Sequence, residues 1–266
     1  MRLIKVILIA LLTYLLAIGL ANAQEQIAIP LSRPGEAGQL EVQMVRGSIN
    51  IKGYNGQEVV VRINERGRKV EKESSRDGMR KISGPSYGLE ASEKDNRVRI
   101  DTSSPNQLAD LEIMVPPNFS VNAQTVNDGS IHVTGLKGEM EISNVNGNIT
   151  LEGIGGSAVA STVNGDVKVD FVEVTPDTPM AFSSLNGDID VSFPASIKMT
   201  AQMKTLNGEI YTDFDMNVNV AGNVDKRKEN GVYKVSVDKS INGNINGGGP
   251  KVIFKNHNGN IYIRKK

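Results

Sequence analysis

Apolar and polar residues alternate with a period of two in short runs along much of the chain, which predicts β-strands with one face turned to a core. Around residue 146, the side chains of Met140, Ile142, Asn144, Ile149 and Leu151 fall on one face, while Glu139, Glu141, Ser143 and Thr150 fall on the other. Between the two runs stands Asn146-Gly147. Both residues accept positive φ, so the chain can reverse or turn a corner there at little steric cost. The unit is two strands joined by one turn.

That unit repeats. Val126-Asn127-Asp128-Gly129-Ser130-Ile131, Val145-Asn146-Gly147-Asn148-Ile149, Val163-Asn164-Gly165-Asp166-Val167, Leu185-Asn186-Gly187-Asp188-Ile189 and Leu206-Asn207-Gly208-Glu209-Ile210 are clear copies, and their glycines step by 18, 18, 22 and 21 residues. Weaker copies are read at Ile241-Asn242-Gly243-Asn244-Ile245 and His257-Asn258-Gly259-Asn260-Ile261, with an early one at Val45-Arg46-Gly47-Ser48-Ile49. Second corners fall between copies, at Gly135-Leu136-Lys137-Gly138, Gly153-Ile154-Gly155-Gly156 and Pro176-Asp177-Thr178-Pro179. The longest step coincides with these two prolines, as expected of a loop outside the stack that tolerates insertion cheaply.

Two architectures fit: a solenoid, in which each copy is one rung of a two-sided stack, and an antiparallel meander, in which each Asn-Gly is a hairpin. Repetition favours the solenoid, because identical rungs about 4.8 Å apart align like residues into ladders and share one core. The fold class expected is all-β, a repetitive β-solenoid with about two strands per repeat of roughly 20 residues. Its turn ladder would contain Asn146, Asn164, Asn186 and Asn207, with Thr162, Ser184 and Thr205 two residues earlier. Amides and hydroxyls so stacked can satisfy one another's hydrogen bonds.

Ahead of the clear copies, Leu40 to Val45, Ile49 to Lys52, Val59 to Ile63, Arg97 to Ile100 and Leu111 to Val115 alternate as strands, and Pro116-Pro117 ends the last of them. The segment 65–85 is highly charged, with Arg66, Arg68, Lys69, Lys72, Arg76, Arg80 and Lys81. It reads as a solvated loop or, more sharply, as a basic docking loop for an acidic partner or phospholipid head groups. Residues 1–23 read as a secretory signal: Arg2 and Lys5, an apolar run from Val6 to Leu20, then Ala21-Asn22-Ala23. Three segments are therefore expected: the signal (1–23), N-terminal β layers forming a cap (24–115), and the Asn-Gly solenoid (116–266).

The chain has no cysteine, so it has neither a lipidated N-terminal cysteine nor a disulfide framework. Removing the signal takes Arg2 and Lys5 from 30 basic residues, leaving 28 against 30 acidic ones. Such a balance is no footprint of nucleic-acid binding. No glycine-rich phosphate loop is read, because the glycines punctuate strand pairs and no helix follows them.

Candidate chemistry is sparse. His132 and His257 are far apart, the first on an exposed strand position and the second where other copies carry Val or Leu. Asn148, Asp166, Asp188, Glu209, Asn244 and Asn260 form a column after Asn-Gly that could offer oxygens to calcium, although the glycine-aspartate repeat of calcium-binding β-rolls is absent. The carboxylate pairs Glu139 with Glu141 and Asp188 with Asp190 are explained by surface alternation, and the chain has no Trp to build a sugar-cleaving groove. No catalytic residue, metal ligand or cofactor is assigned.

The run from Ala109 to Gly165, with Asp110-Leu111-Glu112-Ile113-Met114-Val115-Pro116, Thr125-Val126-Asn127-Asp128-Gly129 and the repeated Val-Asn-Gly phrase, resembles the toast-rack family of bacterial candidate adhesins. The resemblance is good over 109–210 and looser over 24–266. It implies a β-solenoid on the extracytoplasmic side of bacteria, with adhesion or envelope-stress signalling as proposed roles and no catalytic residue to carry over. One departure is Asp128, inserted in the first clear copy, so that turn is expected to bulge. The function expected is a non-catalytic exported envelope protein, an adhesin or structural module whose partner is another envelope protein or a surface ligand. The alternatives are a periplasmic sensor or accessory subunit and a polysaccharide-active enzyme. Periplasm and cell surface both fit, and open stack ends would allow end-to-end self-association.

Overall fold

The computed structural model describes residues 26–65, 75–76, 79–80, 88–102, 108–229 and 232–266. The segment 1–23 and nearly all of the charged loop 65–85 lie outside the described residues. Every element among the described residues is a strand. The N-terminal third holds β1 (Gln26–Pro30), β2 (Gly38–Gln43), β3 (Ile49–Gly53), β4 (Glu58–Glu65), β5 (Ser75–Arg76), β6 (Met79–Arg80), β7 (Leu89–Lys94), β8 (Arg97–Thr102) and β9 (Ala109–Val115). The clear repeats give β10 (Phe119–Thr125), β11 (Ile131–Thr134), β12 (Glu139–Asn144), β13 (Ile149–Ile154), β14 (Ser157–Asn164), β15 (Val167–Phe171), β16 (Met180–Asn186) and β17 (Ile189–Phe193). After them come β18 (Met199–Lys204), β19 (Ile210–Thr212), β20 (Met216–Glu229), β21 (Val232–Ile245), β22 (Lys251–Asn258) and β23 (Ile261–Lys265).

The two strands of each repeat lie in different sheets. One sheet runs β1-β4-β9-β3-β11-β13-β15-β17-β23-β19 and the other β20-β21-β18-β22-β16-β14-β12-β10-β2-β8-β7. Within the repeats, like strands pair in parallel and in register, for example Ile131 with Ile149 and Val121 with Met140. Each Asn-Gly is thus a corner between sheets, and the chain is a solenoid. A meander would have paired β12 with β13.

The rungs do not follow chain order at either end. β2 and β3 lie between β8/β9 and β10/β11, so the early copy at Val45 is a full rung. At the far end β16 and β17 pair with β22 and β23, and these in turn pair with β18 and β19. The last copy, at His257, is therefore inserted between two earlier ones. The copy read at Ile241 is not a rung at all. Ile241–Ile245 is continuous strand, antiparallel to both β18 and β20. A Cβ at Gly243 would meet Met216 Sδ at 2.0 Å, so this glycine makes room for a side chain that packs across the stack end.

Inward residues of both sheets form one core. Ile49, Ile131, Ile149, Val167, Ile189 and Ile261 make a fully buried column, and burying a side chain of this size contributes about 1.5–3 kcal/mol. Phe171 stacks on Phe193 at 5.2 Å, and Phe182 on Phe254 at 5.4 Å. The second contact ties the inserted last rung to its neighbour. Antiparallel strands close both ends: β4 and β7 on the first rung, β21 and β20 on the last of the second sheet. At the first end the β7–β8 turn holds Asp95 and Asn96 at φ of 53° and 61°, the geometry of a tight hairpin. Buried Asn96 fastens the preceding segment there, accepting from Arg33 N at 2.7 Å and donating to Arg33 O at 2.6 Å.

Candidate functional site

The Asn-Gly corner carries four parallel columns of side chains and backbone. In the first, each asparagine amide donates to the next: Asn146 to Asn127 at 2.8 Å, Asn164 to Asn146 at 2.8 Å, Asn186 to Asn164 at 2.7 Å, Asn258 to Asn186 at 2.7 Å and Asn207 to Asn258 at 2.8 Å. All four expected members stand in it, with Asn258 interposed because its rung is.

The second column lies two residues earlier and faces inward. Thr125, Asn144, Thr162, Ser184, Asn256 and Thr205 each donate to the glycine carbonyl of a neighbouring rung, for example Thr162 Oγ1 to Gly147 O at 2.9 Å. These hydroxyls therefore serve backbone carbonyls rather than one another. They satisfy acceptors that would otherwise be buried without a partner. The glycines make up the third column. A Cβ at Gly129, Gly147, Gly165, Gly187, Gly259 or Gly208 would come within 2.3 Å of the carbonyl oxygen one rung away. Close approach of backbone to backbone, repeated rung by rung, is what requires glycine here.

The column after Asn-Gly is the fourth. Asp110, Ser48, Ser130, Asn148, Asp166, Asp188 and Asn260 each accept a hydrogen bond from the backbone N–H of the neighbouring rung, at 2.7–3.3 Å, ending at Glu209 N. Asn244 is not a member, because it lies in β21 and accepts from Thr200 Oγ1. These oxygens hold rungs together, and among the described residues no group of three acidic or histidine side chains could hold a metal ion. The bulge at Asp128 is present, with φ of 63° and a 2.7 Å ion pair to Arg46.

Outside the ladders, the residue before the corner asparagine, or before Arg46 in the early rung, lies on the outer side, with Val145 half-buried there. Val45, Val126, Val163, Leu185 and Leu206 are 37–58% exposed, and His257 occupies the same place in the inserted rung. Together they form an apolar ridge along the corner.

Other singled-out residues are dispersed. His132 stands on the outer face of β11, with Nε2 3.3 Å from Glu152 but without hydrogen-bond geometry. Glu141 accepts from Asn122 at 3.1 Å. Asp188 belongs to the corner, while Asp190 on the outer face binds Arg264 through two bonds of 2.7 and 3.0 Å. The opposite corner holds a cavity of about 470 Å³ under the Pro176 loop, lined among others by Val172, Val174, Met180, Ile197 and Pro250.

Sequence reasoning missed one cluster. Tyr211 of β19 and Tyr262 of β23 are register partners, and their rings stack 5.2 Å apart at 9°. The signal was available: both tyrosines follow Asn-Gly at the same distance, in Gly208-Glu209-Ile210-Tyr211 and Gly259-Asn260-Ile261-Tyr262.

A family model described as Toastrack DUF4097 matches residues 23–246. The chain belongs to this family. The resemblance read around Ala109 to Gly165 is thereby borne out, and the match takes in the inserted early rung and the antiparallel hairpin of β20 and β21. Among curated proteins, none matches this Toastrack chain. A solved structure of a candidate cell adhesion protein from Clostridium sporogenes is similar over 91% of this chain and 99% of its own, at 12% identity and a TM-score of 0.45. A candidate adhesin from Bacteroides fragilis is similar over 91% and 96%, at 11% identity and a TM-score of 0.34. No helix among the described residues of the Toastrack chain is long and apolar enough to cross a membrane.

Proposed function

We propose that this Toastrack protein is an exported, non-catalytic interaction module of the bacterial envelope, adhesive or structural in role, and that its Asn-Gly corner meets a protein partner. The observation that carries this reading is the ridge of Val45, Val126, Val163, Leu185 and Leu206, exposed to solvent on backbone that three ladders hold in place. At about 4.8 Å per rung, seven rungs extend the ridge over roughly 29 Å. A surface already ordered loses little entropy on binding, which favours association. The carboxylates at the corner are engaged in holding neighbouring rungs, as with Asp166 and Asp188. Export rests on the Arg2 to Ala23 signal pattern.

A photo-crosslinking residue placed at Leu185 in living cells tests the reading. A discrete adduct, absent when the crosslinker sits at Thr150 on the outer face, is the expected result; no adduct from Val126, Val163 or Leu185 would refute it. Protease shaving of intact cells separates the two compartments, since cleavage without permeabilisation means the surface and protection means the periplasm.

A further inference from the structure

We propose that the outer face of the sheet ending in β19 carries a saccharide-binding site built on the Tyr211–Tyr262 stack. It lies apart from the corner ridge and goes beyond the interaction reading drawn from that ridge.

The chain has no Trp, and all six of its Phe are buried in the core. The stacked tyrosines stand outside. Their rings are nearly parallel and aligned across strands. One face of Tyr211 therefore rests on Tyr262, while the other looks past β19, the last strand of its sheet. Tyr211 is 47% exposed.

Polar groups around the rings are fixed in advance. The Tyr211 hydroxyl donates to Glu209, and Asn260 Nδ2 donates to the Tyr262 hydroxyl at 3.0 Å. Arg264 lies 5.2 Å over the Tyr262 ring, clamped there by Asp190. The open Tyr211 face, rimmed by the Glu209 carboxylate and backed by a Tyr262 ring that Asn260 and Arg264 hold in place, suits the two-sided chemistry of a pyranose, whose C–H face stacks on a ring while its hydroxyls exchange hydrogen bonds at the rim. Fixed partners lower the cost of ordering the site when ligand arrives.

Two other occupants fit less well. An added β-strand would need a longer template than the three residues of β19, after which Thr212 Oγ1 accepts from Phe214 N and the chain leaves for the other sheet. Nucleic-acid phosphates would meet the Glu209 carboxylate at the rim of the open ring, where like charge repels them.

The test is titration of the purified protein with a panel of neutral, N-acetylated and uronic-acid oligosaccharides, followed by tyrosine emission, which the absence of Trp leaves unobscured. At least one glycan should bind saturably. Tyr211→Ala should weaken it about tenfold, equivalent to about 1.4 kcal/mol, while Tyr211→Phe, which keeps the ring, should retain most of the affinity. Thermal unfolding of Tyr211→Ala within a few degrees of the parent shows that the loss is local. The proposal is overturned if the parent binds nothing in the panel or if Tyr211→Ala binds equally well. Either result leaves the Leu185 crosslink untouched, so the two readings fail separately.

Discussion

Replacing Gly165 by alanine should cost far more than its single methyl group suggests. Its Cβ would lie 2.3 Å from Gly147 O and 2.5 Å from the carbonyl carbon, both backbone atoms that cannot swing aside. Relief requires the two corners to part by about 1 Å, a displacement in the range where overpacking costs about 1–3 kcal/mol. The same movement stretches the bonds that cross this gap: Gly147 N to Asn164 O at 2.9 Å, Thr162 Oγ1 to Gly147 O at 2.9 Å and Asp166 N to Asn148 Oδ1 at 2.9 Å. Losing part of three such bonds, at about 1 kcal/mol each, brings the total to about 3 kcal/mol. For a domain of this size that is a fall in Tm of about 6–12 °C. Gly153 is the control. Its φ is +60° and nothing lies within 4 Å of its added Cβ, so Gly153→Asn meets only a backbone preference that asparagine tolerates. Its Tm should fall by less than about 4 °C. Scanning calorimetry of both variants decides the matter: if Gly165→Ala melts within about 4 °C of the parent, stacking of backbone on backbone is not what fixes glycine at the corner.

The amide ladder makes a graded prediction. Asn164→Ala removes two side-chain bonds and Asn207→Ala one, so urea unfolding should show a loss of about 2 against about 1 kcal/mol; equal losses would argue against a continuous ladder. Deleting 251–266 removes fully buried Val252, Phe254, Ile261 and Ile263, worth about 6–12 kcal/mol together, which approaches the whole stability of a typical domain. Trypsin should digest the shortened chain throughout, and an unchanged cooperative melt would refute this. Glu93 accepts from Ser32 N, Asn96 N and Ser32 Oγ, and these bonds, the Ser32 amide foremost, hold its carboxyl below the ordinary 4.5. A depressed pKa stabilises above the ordinary value and is lost as pH falls through the lower, folded one. The protection of the Ser32 and Asn96 amides, measured against their intrinsic exchange rates, should therefore fall as pH drops below 4.5, and Glu93→Gln should abolish that step.

The repeat, the corner and the inward face were legible because each depends on residues close together in sequence. Val145-Asn146-Gly147-Asn148-Ile149 states its turn and its alternation within five residues. Rung order was not legible. Every rung offers the same edge to its neighbours, so nothing local says that Asn258 sits between Asn186 and Asn207. The decoy at Ile241 shows the converse: Asn242-Gly243 carries the right letters, but long antiparallel pairing with β20 keeps it extended. The inward hydroxyls were recognised as a column but given the wrong partners, since alternation reports which way a side chain points and not which carbonyl it reaches. The tyrosine stack was hidden for the same reason as the rung order. Its members are 51 residues apart, and only the insertion of β23 beside β19 brings them together.

Inserting the final copy into the interior of the stack also sets a clock. A chain emerging N-terminus first can close its rungs in succession as far as β17, but the next position stays vacant until the residues up to Lys265 have appeared. Meanwhile β17 and β19 lack their shared neighbour, and unfilled strand edges of that kind invite chaperones, proteases and misassembly. A chain that lacks β23 therefore leaves those edges exposed. The position of one late strand thus makes closure of the stack wait on residues far along the chain, an interval open to whatever machinery patrols unfolded protein where this chain folds.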